Sequence, residues 1–195
     1  MAVTVETLPT ARIGEAIDAL ARMRIAVFRE WPYLYEGDAG YERSYLADFA
    51  AAPDAVLVLA RDGDTIVGAA TASPMTAQSA EIQAPFARAG KDTSAMFYFG
   101  ESVLLPGYRG QGIGHAFFDH REAGARAAGA SVASFCAVQR PADHPLRPQG
   151  YRPLDTFWAK RGYVRVEGLT TRFDWLDIGE ARETAHVMQF WARTL

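Results

Sequence analysis

The sequence predicts a mixed α/β domain, with one mixed, mostly antiparallel sheet covered by helices. Three observations lead there. Paired apolar segments separated by short polar turns occur early and at the end of the chain, as antiparallel hairpins require. A strand–glycine turn–helix–strand run fills the middle, from Met96 to Val138, and such a unit needs parallel strands joined by a crossover helix. The chain has 195 residues, 49% hydrophobic and 22% charged, enough to bury one large core without disulfide staples. We therefore expect one domain over residues 1–195.

Taken in order, Val3, Val5 and Leu8 suggest a first strand. Ile13, Ile17, Leu20, Ile25 and Phe28 share a broad apolar helical face, which Trp31-Pro32 interrupts. Tyr41 to Ala51 reads as a second helix, with Tyr45, Leu46 and Phe49 on one side and Pro53 at its exit. The runs 55–60 and 65–71 flank Arg61-Asp62-Gly63-Asp64, an Asp-Gly hairpin signal. Residues 74–94 form a long excursion with one helical turn near Ile82 to Ala89. Met96 to Leu105 is a strand, and 107–114 a glycine-rich turn. Ile113 to Ala128 is a helix in which Gly124 permits close approach to a neighbour. Ser131 to Val138 is a further strand, 140–152 a proline-rich loop, and Leu154 to Arg161 a short helix ended by Gly162. Two closing strands, Thr170 to Asp177 and Ala185 to Thr194, surround a turn at Gly179.

Several function classes are disfavoured. A net charge of −3 provides no global basic field for nucleic acid or an anionic membrane. The N-terminus lacks a signal-peptide pattern, and no stretch approaches the ~18 apolar residues of a membrane span, so the expected location is cytoplasmic. Cys136, the single cysteine, reads as a small core residue. His115 and His120 are five apart and do not share a helix face, so no metal is expected. Gly100-Glu101-Ser102-Val103-Leu104 lacks the final glycine of a nucleophile elbow.

The sharpest signal is Leu105-Pro106-Gly107-Tyr108-Arg109-Gly110-Gln111-Gly112-Ile113-Gly114, after a strand and opening a helix. Free amides and the helix dipole there suit a phosphate. A Walker loop would need Gly-Lys-Ser/Thr, absent here. A dinucleotide fingerprint has other spacing and belongs in a first βαβ unit. Arg109, Gly112 and Gly114 instead give Arg-x-x-Gly-x-Gly, and with the preceding Val-Leu-Leu-Pro this resembles the acyl-CoA loop of the GNAT superfamily of N-acetyltransferases. The order of elements is similar over nearly the whole chain. Phe157-Trp158-Ala159-Lys160-Arg161-Gly162-Tyr163 resembles that family's helix-four ending.

The resemblance implies acetyl or longer acyl transfer from acetyl-CoA to an amine, with the central parallel strands splayed around the acetyl group. Amides of Gly110, Gln111, Gly112, Ile113, Gly114 and His115 would hold the pyrophosphate, beside Arg109. Val103, Leu104 and Leu105 would present a strand edge to the pantetheine arm. The family's frequent tyrosine acid falls on Trp158, which cannot donate a proton in that role; either Tyr151 or water replaces it, or the thiolate leaves unprotonated.

An amine of pKa ~10.4 is neutral about once in 2,500 at pH 7, a deficit of ~4.6 kcal/mol at about 1.36 kcal/mol per unit. A general base removes it, and Glu101, an acid inside an apolar strand, is the candidate, with a structural acid as the bland alternative. Alternation puts Glu101, Val103 and Leu105 on one side. The acceptor would meet the loop 29–38, where Trp31, Tyr33, Tyr35 and Glu36 could hold a small cation by charge and cation–π contact. Its bland alternative is a surface loop tucked under its own aromatics. The arginines of the loop 140–148 suit either an acidic acceptor or a CoA phosphate. The competing function is a non-catalytic acyl-CoA or metabolite sensor on the same fold. A homodimer through the closing strand, with Val187, Phe190 and Trp191, competes with simple core burial.

Overall fold

A computed structural model describes residues 3–195. The strands are β1 (Thr4–Leu8), β2 (Val56–Asp62), β3 (Thr65–Pro74), β4 (Met96–Leu104), β5 (Val132–Val138), β6 (Val164–Trp175) and β7 (Thr184–Thr194). The helices are α1 (Ile17–Phe28), α2 (Ala39–Ala51), α3 (Ala80–Arg88), α4 (Ile113–Ala127) and α5 (Asp155–Lys160). The strands form one sheet in the order β1-β2-β3-β4-β5-β7-β6. Only β4 and β5 are parallel neighbours, so the mixed, mostly antiparallel sheet is as the sequence predicts.

The helices divide between the two faces. Ile113, Phe117, Phe118 and Ala125 of α4 bury against Val56, Val58, Phe97 and Phe99. A fully buried side chain of this size contributes about 1.5–3 kcal/mol. Gly124 makes this approach possible, because a Cβ there would stand 2.7 Å from Val56 Cγ2. Leu20 and Ala21 of α1 and Leu46 of α2 cover Leu57, Leu59 and Val103 on the opposite face. Asp38 caps α2 by accepting from the Tyr41 N–H at 2.6 Å, which contributes about 1 kcal/mol.

Three elements differ from expectation. Residues Thr10–Ala16 wind as a 3₁₀ segment, so α1 begins only at Ile17. The excursion contains a full helix, α3, despite Pro85 within it. Proline cannot bond the Glu81 carbonyl one turn back, and the Thr171 hydroxyl of β6 donates to that oxygen at 2.6 Å instead. Finally, β6 starts six residues earlier than Thr170. Its pairing with β7 shifts register between Arg165 and Thr170, where Gly168 has a positive φ of 70°. That bulge breaks the alternation that sequence reading relies on.

Two irregularities of β4 shape the site. It pairs with β5 only through Met96–Val132, Phe97–Ala133 and Tyr98–Ser134, and beyond these the strands part. On the other side, Ala70 faces Ser102 but Ala72 faces Phe99, so Gly100 and Glu101 stand opposite Thr71 alone. This bulge changes the face on which the strand's odd-numbered side chains lie. Phe97 and Phe99 pack toward α4, whereas Val103 packs with α1 and α2, the side from which Arg24 reaches Glu101.

Candidate acyl-transfer site

The glycine turn leads from β4 into α4. Gly110 and Gly112 have φ of 77° and 84°, values that favour glycine because other residues carry a Cβ that clashes. Open space lies where a Cβ would project from either. The amides of Gly110, Gln111, Gly112, Ile113 and Gly114 find no backbone acceptor among the described residues, while that of His115 is used on Gly112 O at 2.9 Å. Five unused donors at a helix N-terminus suit a pyrophosphate. Gln111 Nε2 donates to Gly107 O at 3.1 Å and stiffens the turn.

Arg109 braces this turn against the acceptor side. Its two Nη atoms donate to both Glu30 carboxylate oxygens at 2.8 and 3.1 Å, and its Nε donates to Leu104 O at 3.1 Å. The Leu105 N–H donates to Val67 O. Antiparallel alternation then turns the backbone of Val103 and Leu105 toward β3, and that of Ser102 and Leu104 toward the parted edge. That edge is therefore offered by Leu104, with Ser102 rather than Val103 or Leu105 beside it.

Glu101 is 4% exposed. Its Oε2 accepts from Arg24 Nη1 at 2.6 Å and from the Tyr45 hydroxyl at 3.5 Å, and its Oε1 is buried with no partner among the described residues. Arg24 also pairs through Nε with Glu42. Sequence reading missed both. The signal was a charged residue inside an apolar stripe: Arg24 between Leu20 and Phe28 on α1, and Glu42 one turn before Leu46 on α2. From the opposite face, buried Arg121 of α4 directs Nη1 at Thr71 O and Glu101 O, each at 3.4 Å. Burial pulls its guanidinium down to about 10.

The loop from Arg29 to Asp38 contributes rings rather than free acids. Glu30 is held by Arg109, Glu36 pairs with Arg29 at 2.7 Å on a half-exposed surface, and Asp38 caps α2. Tyr33 lies tilted against Phe28, 4.5 Å between centroids, and packs with the cluster of Tyr98 and Cys136 where β4 and β5 part. Burial holds the Tyr33 and Tyr45 phenols well above their usual range, so both stay neutral donors. Tyr35 is pushed up to about 12 by burial and the Glu42 carboxylate. Trp31 lies 5.0 Å from the His144 ring and 6.0 Å from Tyr151.

Arg140 is not free for an anion. It bonds both Asp177 oxygens at 2.7 Å and the carbonyls of Pro32 and Tyr33, strapping the acceptor loop to the β6–β7 turn. Trp158 is partly buried and packs between Phe135 and Trp191 at the edge of the core. Cys136 shares a 3.1 Å hydrogen bond with the Tyr98 hydroxyl, and burial pushes its thiol up to about 12. The thiolate is the reactive form, so native protein is expected to react with a chromogenic disulfide far more slowly than denatured protein. A fast native reaction, followed by absorbance, would contradict this burial.

The Acetyltransferase (GNAT) family model matches residues 20–148, about two-thirds of the chain. The chain belongs to the GNAT acetyltransferase family. Membership implies acyl-CoA-dependent acetyl transfer. A search of curated protein sequences found no match. Among solved structures, a ribosomal-protein-alanine N-acetyltransferase from Brucella melitensis aligns with TM-score 0.62 and 12% identity over 98% of this chain and 99% of that one. A GCN5-related N-acetyltransferase from Kribbella flavida gives 0.60 and 17%, over 100% and 98%. The yncA structure from Salmonella typhimurium, described with its cofactor acetyl-CoA, gives 0.58 and 11%, over 100% and 95%. At these identities the structures share the GNAT fold. No helix among the described residues is long and apolar enough to cross a membrane.

Proposed function

We propose that this GNAT protein transfers an acetyl group directly from acetyl-CoA to the amine of a small, cationic acceptor that enters from the α1–α2 side. The observation that carries the reading is the fork between β4 and β5, with five unused amides at one end and a buried carboxylate at the other. Acetyl-CoA, when bound, supplies an activated thioester. The amides of residues 110–114 hold its pyrophosphate, and the backbone of Ser102 and Leu104 offers hydrogen bonds to the pantetheine arm. Trp31, Tyr33 and Tyr35 give the acceptor an aromatic wall, while Glu36 is neutralised by Arg29.

Glu101 is the base. The ammonium first gives one proton to Glu101; as the neutral nitrogen then bonds the acyl carbon it releases a second proton to solvent, the carbon–sulfur bond breaks, and the thiolate leaves with that electron pair. The first proton reaches the Glu101 carboxylate through the phenol-lined wall of Tyr33 and Tyr45. Neutral phenols beside the fork also stabilise negative charge as it develops on oxygen and sulfur.

The test is a panel of polyamines, amino-acid amides, aminoglycosides and a peptide with N-terminal alanine, each incubated with acetyl-CoA and read by free-thiol release. Turnover with a small cationic amine is expected. Turnover with the peptide alone would redirect the acceptor assignment to protein N-termini. Acetyl-CoA binding with no turnover across the panel would favour a sensor.

A further inference from the structure

We infer that Arg24 and Glu42 are positioning residues for Glu101, a role that rests on Glu101 acting as the base. Glu42 is 0% exposed, although it stands in the first turn of a helix whose other buried residue is Leu46. A charged side chain is almost never fully buried unless paired, and an apolar residue of similar volume often serves stability as well or better. Stability alone therefore gives Glu42 little reason to be acidic.

What the pairing does is fix a direction. Arg24 offers its Nε to Glu42 and its Nη1 to Glu101 Oε2, so the guanidinium is held on two edges. The Tyr45 ring lies 4.5 Å from its central carbon and the Phe28 ring 5.1 Å. A planar guanidinium gripped in this way has one orientation, which lysine cannot reproduce. It engages one oxygen of each carboxylate and leaves Glu101 Oε1, like Glu42 Oε1, without a partner among the described residues; the Glu101 oxygen belongs to the bulge beside the fork. The same three groups join α1, α2 and β4, the elements between which the acceptor loop hangs.

Glu42→Gln, Arg24→Lys, Arg24→Gln and Glu101→Gln are compared with the parent protein, using acetyl-CoA and spermidine, or the fastest amine of the panel. Glu42→Gln is expected to lower kcat about tenfold, part of the 10²–10⁴ a general base provides. It should leave the KM for acetyl-CoA within about twofold, since Glu42 touches nothing near the glycine turn, and should move the acid limb of the pH profile down, because a negative neighbour is lost. Arg24→Lys should recover part of the activity lost in Arg24→Gln. Independently of turnover, the Arg24 Nε–H should give an exchange-protected ¹⁵N resonance in the free protein that Glu42→Gln exposes. If Glu42→Gln and Arg24→Gln lower only the melting temperature, with kcat and pH profile intact, the positioning role is overturned while the base stands. If Glu101→Gln itself retains activity, the base is overturned and the positioning role falls with it.

Discussion

Glu101→Gln is expected to reduce kcat by about 10²–10⁴ and to abolish the acid limb of kcat/KM against pH, with acetyl-CoA binding retained. The direction follows from the amine. Most acceptor molecules are protonated at neutral pH, and the proton must leave before or during attack. Glutamine keeps the shape of the side chain and an oxygen for Arg24 Nη1, now at 2.6 Å from Oε2, but cannot accept a proton. The structural cost is contained because Arg24 retains Glu42 as a counter-ion. Breaking a buried pair outright costs about 3–5 kcal/mol, and the remaining carboxylate prevents that extreme. Activity per folded molecule against pH, measured beside the melting temperature, separates the two accounts. A variant that melts lower but turns over normally would make Glu101 a structural acid.

The order of elements was legible because short apolar runs alternate with Gly, Pro and Asp-Gly punctuation, and because Gly124 marked a close approach that the Val56 contact confirms. The start of β6 was not, since Glu167 and Gly168 interrupt the alternation at a bulge whose reason is pairing with β7. The same limit applied to the acceptor loop. Glu30, Glu36 and Asp38 read as a ready set of acids, but two are neutralised by Arg109 and Arg29 and one caps a helix. A pairing such as Glu30–Arg109, between α1's exit and the glycine turn, depends on tertiary approach and has no local signature. By contrast, Arg24, Glu42 and Arg121, which the sequence reading passed over, each sit in an apolar helical stripe. A charge in such a stripe requires a buried partner; Arg24 and Arg121 reach the β4 bulge, and Glu42 holds Arg24.

Gly112→Glu should nearly eliminate stabilisation by acetyl-CoA. Ligand at about 100 times its Kd stabilises the native state by ~2.7 kcal/mol, which raises Tm by about 5–10 °C for a domain of this size. The substitution acts in two ways that can be separated. Residue 112 has φ of 84°, and a Cβ there costs about 1–2 kcal/mol in backbone strain, lowering the melting temperature of the free protein. The carboxylate then projects into the open space beside the free amides, where two unit charges ~4 Å apart repel by about 1–4 kcal/mol across the range of plausible dielectrics. A pyrophosphate carries more than one charge, so a loss of ~3 kcal/mol, about 100-fold in Kd, is the expected scale. At the same ligand concentration the stabilisation would then fall to ~0.4 kcal/mol, or about 1 °C. Gly112→Ala carries the strain without the charge, so it should melt lower when free yet keep most of the acetyl-CoA shift. Equal shifts for Gly112→Glu and the parent protein would place the pyrophosphate elsewhere and remove the main support for an acyl-CoA site at the N-terminus of α4.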